Sequence, residues 1–266
     1  MQKLKLCVLG RQGDSYTRMV VQSLRARGLH FTLVLEGGVR ASGRIERLLG
    51  LPLTLYRAIT SGRFKALPKL SCFTLRAFLC ERLYYRSSAV RTILAPLQEV
   101  DINGVVVRSV NHVRTLKLIE QERFDIGLFA GVDIVDGAII DAFSVCCLNA
   151  HPAPLPQCRG GGALINTLFY GLWPAVSVHV ATAGIDEGEI LRVTPLPLNK
   201  NDTYDSINLR LTLLCADTLA EVAQGLVGGT PVTGQSNGGV MHYWKDCTIE
   251  RQRVAIRHLR QLLEGL

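Results

Sequence analysis

No stretch of this 266-residue chain approaches the ~18 uncharged apolar residues that a membrane-spanning helix needs. The opening MQKLKLCVLG passes straight into a strand pattern, without the apolar core and small-residue cleavage site of a secretory leader, which makes the cytoplasm the default location. A dinucleotide fingerprint is also missing. The first glycine loop reads Gly10-Arg11-Gln12-Gly13 rather than G-x-G-x-x-G, so nothing points to NAD. There is no internal repeat and no low-complexity tract. The eight cysteines (Cys7, Cys72, Cys80, Cys146, Cys147, Cys158, Cys215 and Cys247) are scattered, several of them inside apolar runs, which suits reduced core thiols rather than a disulfide framework. The nearest approach to metal-ligand spacing is Cys146, Cys147, His151 and Cys158. Neighbours on a strand face opposite ways, so Cys146 and Cys147 cannot readily share an ion, and no metal is expected.

What the chain does have is a large apolar share, 48% against 20% charged residues, enough to fill one α/β domain or one domain with a modest appendage. Its formal net charge of +8 is concentrated in one segment. Between residues 38 and 91, Arg40, Arg44, Arg47, Arg57, Arg63, Lys65, Lys69, Arg76, Arg82, Arg86 and Arg91 stand against Glu46 and Glu81 alone. All the excess positive charge therefore lies there, which bears on partners rather than on fold.

The hydropathy pattern opens with LKLCVLG as a strand, a loop, YTRMVVQSLRARG as a helix and HFTLVLEGG as a second strand, the entry to a parallel sheet. Residues 38–100 interrupt this rhythm as a basic insertion, helical in pieces. The alternation then resumes with INGVVVRSV (strand), NHVRTLKLIEQER (helix), FDIGLFAG (strand), VDGAIIDAF (helix) and SVCCLNA (strand). Runs as apolar as GLFAG and VCCL suit strands covered on both faces. GGALINTLFYGLW follows as a helix, AVSVHVATAG as a strand and EILRVTPLPL as an extended segment. Then come a long helix from the cap Asn201 or Asp202 to the glycines at 228 and 229, an extended GGVMHYW, and a basic helix to the end. The expected fold is α/β: a doubly wound, mostly parallel sheet in a catalytic unit of residues 1–200, with the basic helical insertion and a small helical appendage, 201–266, packed on the core.

The chemistry concentrates in LNAHPAPLPQCRGGG, residues 148–162, where a buried strand ends at Asn149 and His151 and runs into a proline-braced loop. His151 falls just past a strand's carboxyl end, where open α/β sheets hold their ligands. A lone histidine there reads as a capped or core-edge residue. Together, Asn149-x-His151-Pro152-x-x-Leu155-Pro156-x-x-Arg159-Gly160 and the later Gly184-Ile185-Asp186-Glu187-Gly188 resemble the signature of the folate-dependent formyltransferases, N-x-H-P-S-L-L-P-x-[YW]-[RP]-G followed by D-x-G. Ala153-Pro154, Cys158 and Thr182-Ala183 depart from that family's usual residues without removing a reacting group. The resemblance runs from about residue 100 to 198.

The resemblance implies a Rossmann-like formyltransferase fold and 10-formyltetrahydrofolate as co-substrate, with no metal. It implies catalysis by Asn149, His151 and Asp186. A side-chain amide and an imidazolium suit the oxyanion that develops as an amine attacks the formyl carbon. A carboxylate beside the histidine favours its protonated form and can collect the amine's surplus proton. The pterin is expected against backbone at Gly131, Val132, Asp133 and Ile134, with Ala183, Gly184 and Ile185 on its other side. Arg159, Gly160 and Gly10 are expected to shape the acceptor side. His179 lies within a strand and is read as packing, outside the site.

The expected acceptor is a primary amine on a nucleotide-linked or phosphorylated amino sugar, or a specialised-metabolite amine. A phosphoribosylglycinamide formyltransferase-like enzyme and a 10-formyltetrahydrofolate hydrolase are the alternatives. A non-enzymatic reading also stands, a degenerate fold acting as a basic nucleic-acid- or membrane-binding module, although no nucleic-acid partner is expected. The cationic segment could attract a diphosphate, a polyglutamate tail or an anionic surface. Its aromatic residues, at helical spacing, suit packing against the sheet or against a second copy in a homodimer.

Overall fold

The structure, a computed structural model, describes residues 4–37, 95–97, 99–243 and 246–266. The basic segment 38–91, with the helical pieces expected in it, lies outside the described residues. Residues 4–37 and the described residues from 97 onward form one compact unit.

That unit is built on a seven-stranded sheet in the order β3-β2-β1-β4-β5-β7-β8. Its first strands are β1 (Leu6–Arg11) and β2 (Phe31–Glu36), joined by helix α1 (Ser15–Ala26). Asp14 caps α1, accepting from the Thr17 amide. β3 (Val105–Val107) forms the edge, and after helix α2 (Val113–Glu122) the chain crosses back to lay β4 (Ile126–Ala130) beside β1. This reversal of strand order is the switch point at which doubly wound sheets open a crevice beyond their carboxyl ends. A short α3 (Gly137–Ile140) then leads into β5 (Cys146–His151). From β3 to β5 all neighbours run parallel.

Beyond β5 the sheet changes character. After β6 (Arg159–Gly160) and helix α4 (Ala163–Phe169), strand β7 (Ala175–Val180) pairs antiparallel with β5, and β8 (Ile190–Pro195) antiparallel with β7. The mostly parallel α/β sheet is as expected, and its antiparallel side is an addition that strand patterns alone left open.

The central strands earn their burial by composition: Cys7, Val8 and Leu9, and Ile126 and Leu128, are fully buried. In the 201–266 region, helix α5 (Tyr204–Val227) is capped by a Thr203–Ser206 capping box. It packs on β5, β7 and α1 as a full layer of the core. A short β9 (Met241–His242) pairs with β6 in a second, two-stranded sheet, and α6 (Ile249–Glu264) packs on α4. No helix among the described residues is long and apolar enough to cross a membrane.

Candidate active site

β5 ends in Asn149-Ala150-His151, and a strand's two-residue period sets Asn149 and His151 on one face. Antiparallel pairing places His179 opposite Asn149 and Ser177 opposite His151. The buried Ser177 hydroxyl pins the proline loop, accepting from the Leu155 amide at 2.9 Å and donating to the Ala153 carbonyl at 2.8 Å. The loop closes with Cys158 N–H on the Pro154 carbonyl, 3.0 Å. Its Cys158 carbonyl is thereby turned toward His151 Nε2, 2.8 Å away.

Asp186 reaches the same point from the loop between β7 and β8. Its backbone is left-handed, φ 46°, a conformation non-glycine residues hold only when their surroundings impose it. One carboxylate oxygen lies 3.2 Å from His151 Nδ1 and accepts from the Gly160 amide at 3.0 Å. The other lies 3.3 Å from His179 Nε2 and accepts from Asn149 Nδ2 at 3.3 Å. Asn149, His151 and Asp186, drawn from two stretches of sequence, thus meet around one carboxylate.

His179 joins them, against the expectation that it packs outside the site. Its Nδ1 lies 2.9 Å from the Val180 carbonyl, and its Nε2 lies between Asn149 Nδ2, 3.2 Å away, and the Asp186 carboxylate. A signal for it existed in AVSVHV. Ser177 and His179 are polar residues two apart in an otherwise apolar strand, which puts both on one face.

The electrostatics follow from burial and these contacts. Burial alone would raise the Asp186 pKa, but the hydrogen bond to His179, the charges of both histidines and the Gly160 amide bring it down to about 2. His151 is pushed below its ordinary value, chiefly by burial, against the opposing pull of Asp186 and the Cys158 carbonyl. The protonated form expected for this ring is therefore disfavoured in the resting site. A neutral ring has a single N–H for the two oxygens it faces, so taking up a proton would satisfy both.

A cleft of about 510 Å³ opens at the carboxyl ends of β4 and β5. Asn149, His179 and Asp186 line it, with Phe129, Val135 and Ile140 among its apolar walls. Val132, Asp133 and Ile134 form one side and Ala183, Gly184 and Ile185 another, the two backbone segments expected to flank a pterin. Gly131 is not among the lining residues. It has φ 82°, and a side chain there would run into the Asp14 carboxylate. His151 is likewise not in the lining but sits behind Asp186, 6% exposed.

The expected acceptor-side residues are placed differently. Arg159 is committed to the loops, donating to the Ile185 and Gly239 carbonyls at 3.1 Å each and lying 3.6 Å from Glu187. Gly160 has φ 83° and gives its amide to Asp186, and a side chain there would collide with the His242 carbonyl. Gly10 lies against Thr17, close enough that a methyl group would clash. Beside it, Arg11 joins Glu36 (3.2 Å) and Asp133 (2.6 Å) across the ends of β1 and β2. Among the described residues no cluster of His, Cys, Asp or Glu could hold a metal ion.

Residues 98–222 match the Formyl transferase family. The chain is 36% identical over 106 residues to the methionyl-tRNA formyltransferase of Rickettsia typhi, an alignment covering 40% of this chain and 35% of that one. It therefore spans about a third of the length of that curated relative. In fold it is similar to a sugar N-formyltransferase from Shewanella, with a TM-score of 0.57, 13% identity, and coverage of 97% of this chain and 88% of the other. It is similar too to an N-formyltransferase from Helicobacter canadensis, solved in complex with folinic acid and dTDP-3-aminofucose. There the TM-score is 0.54 at 14% identity, covering 97% and 80% of the two chains. The fold is thus the α/β formyltransferase fold, and the matched segment holds the whole Asn149, His151, His179 and Asp186 cluster.

Proposed function

We propose that the chain is an N-formyltransferase that moves a formyl group from 10-formyltetrahydrofolate to a primary amine, on a nucleotide-linked amino sugar. The observation that carries this reading is that the Asn149 amide and the Asp186 carboxylate line a cleft while the His151 imidazole backs the carboxylate, all inside the segment that matches the formyl transferases. The cleft suits the folate: at about 510 Å³ it falls in the ~300–1,000 Å³ range of small-molecule sites, with apolar walls and residues 132–134 and 183–185 in its lining to hold the pterin. When bound, the folate supplies an acyl carbon open to attack by an amine.

The protein's part is positioning, charge stabilisation and proton transfer. Asn149 Nδ2 has two hydrogens, one held by Asp186 and the other free to leave His179 Nε2 for an acyl oxygen gaining negative charge. With a pKa held near 2, Asp186 is a weak final base, but it joins the cleft to His151. A neutral His151 takes up the amine's surplus proton through Asp186, the imidazolium donating to Asp186 and to the Cys158 carbonyl together. The same proton returns through Asp186 to the folate nitrogen as the bond from that nitrogen to the formyl carbon breaks and tetrahydrofolate leaves. The donor role expected of His151 toward the oxyanion would require the ring to give up Cys158. Its role as proton acceptor uses the ring as it stands.

The amino-sugar acceptor is supported by fold neighbours that are sugar N-formyltransferases, one of them holding a dTDP-linked amino sugar with folinic acid. The eleven cations between residues 38 and 91 would complement a diphosphate. One observation favours a second reading, an aminoacyl-tRNA acceptor: the 36% identity to a methionyl-tRNA formyltransferase. The test is release of tetrahydrofolate from 10-formyltetrahydrofolate with a panel of nucleotide-linked amino sugars and, in parallel, initiator methionyl-tRNA. Turnover with a sugar that Asn149→Ala and Asp186→Ala abolish is the expected result. Turnover with tRNA alone favours the second reading, and a wild type no faster than the variants with every acceptor removes both.

A further inference from the structure

The strap formed by residues 235–242 binds both loops that carry the site. Gln235 exchanges two backbone hydrogen bonds of 2.9 Å with Ile190, at the start of β8. The Gly239 carbonyl accepts from Arg159, whose other amino group holds the Ile185 carbonyl. Met241 and His242 pair with Arg159 and Gly160, and the His242 carbonyl accepts from the Gly161 amide at 3.0 Å. Gly239 lies so close to the Pro156 carbonyl that no side chain fits between them.

At the centre of this strap is Asn237, 8% exposed. Its Nδ2 donates to the Asp186 carbonyl at 2.7 Å and to the Gly188 carbonyl at 3.1 Å. Both partners are acceptors only, so the NH₂ end of the amide must face them, and aspartate in its place would turn an oxygen on two carbonyls. These bonds grip the backbone of Asp186 itself, the residue held at φ 46°. Asn237 lies beyond residues 98–222, outside the segment matched by the family.

We infer that Asn237 is a positioning residue that fixes the left-handed backbone of Asp186, and with it the carboxylate between His151, His179 and Asn149. The strap makes the distance between the proline loop and the Asp186 loop depend on a segment remote in sequence from both. The inference rests on the formyl-transfer reading for its kinetic readout alone.

The test compares Asn237→Asp with Gly238→Ala, whose added methyl meets open space in the same strap. In the full chain, Asn237→Asp is expected to lower kcat by up to ~10²-fold, the cost of a catalytic group displaced by about an ångström, with KM for the folate within about twofold. Nitrogen-15 NMR of the imidazoles supplies a readout independent of turnover. The His151 titration midpoint moves further down in Asn237→Ser, which brings no new charge to the site, as Asp186 recedes, and stays at the wild-type value in Gly238→Ala. Should Asn237→Asp fail to fold, Asn237→Ser, with one donor for two carbonyls, is read for kcat as well and is expected to fall between. Unchanged kcat and an unchanged His151 midpoint overturn the inference, as does an equal shift in Gly238→Ala. A wild type without formyl transfer removes the proposed activity, while the His151 titration still decides what Asn237 does.

Discussion

The two sides of the sheet handle polar residues in different ways. From β3 to β5 the strands are parallel, and the described interior of β1 and β4 is apolar, with polar side chains such as Arg11 and Asp133 at or beyond the strands' carboxyl ends. From β5 to β8 they are antiparallel, and the strand interiors carry Asn149, Ser177 and His179, all paired. Parallel strands offer slanted, evenly spaced backbone bonds. An antiparallel pair sets residues directly opposite one another, so one polar side chain can satisfy its neighbour in the interior. Two of the reacting groups, Asn149 and His151, sit on β5, the strand shared by both sides, and the cleft lies where the two regimes meet.

The sharpest way to break this contrast is Asp186→Ala, which removes the group joining both histidines and Asn149. Tetrahydrofolate release should fall by ~10²–10⁴-fold, the usual worth of a positioned acid–base group. Asn149→Ala should cost ~10²–10³-fold in kcat, as loss of an oxyanion donor does, with thermal stability near wild type. On the parallel side the expectation reverses. Leu128→Ala, at a fully buried position on β4, should cost about 3 kcal/mol in denaturant unfolding while kcat per folded molecule holds. Ser177→Ala strands the Leu155 amide and should destabilise by ~1–3 kcal/mol, measurable in the same unfolding experiment.

The smallest effect expected is on pH dependence. His151 is held below its ordinary pKa and must be neutral to accept a proton, so activity should be lost as pH falls, with the acid limb of kcat/KM centred below ~6.5. An acid limb above that value would mean that Asp186, not burial, governs the ring.

Much of the molecule could be read from the chain. Apolar runs such as GLFAG and VCCL mark strands, and Asn149, His151 and Asp186, singled out by the resemblance to the formyltransferase signature, do come together. What escaped has a common cause. His179 looked like packing because its importance depends on β7 running antiparallel to β5, and strand patterns do not carry direction. Arg159 is expected from the resemblance to shape the acceptor side, and what the sequence does not show is that its partners are carbonyls at Ile185 and Gly239, groups that every residue has. Asn237 was invisible for the same reason.

The sequence by itself determined which groups can react and where strands end, because hydrophobic period and residue chemistry are local properties. Only the tertiary structure decided which way the His151 ring faces, that Asp186 stands between two imidazoles, and that a distant strap holds it there. Those depend on side chains meeting carboxylate and carbonyl oxygens that only the path of the folded chain brings near, which residue chemistry and hydrophobic period do not encode.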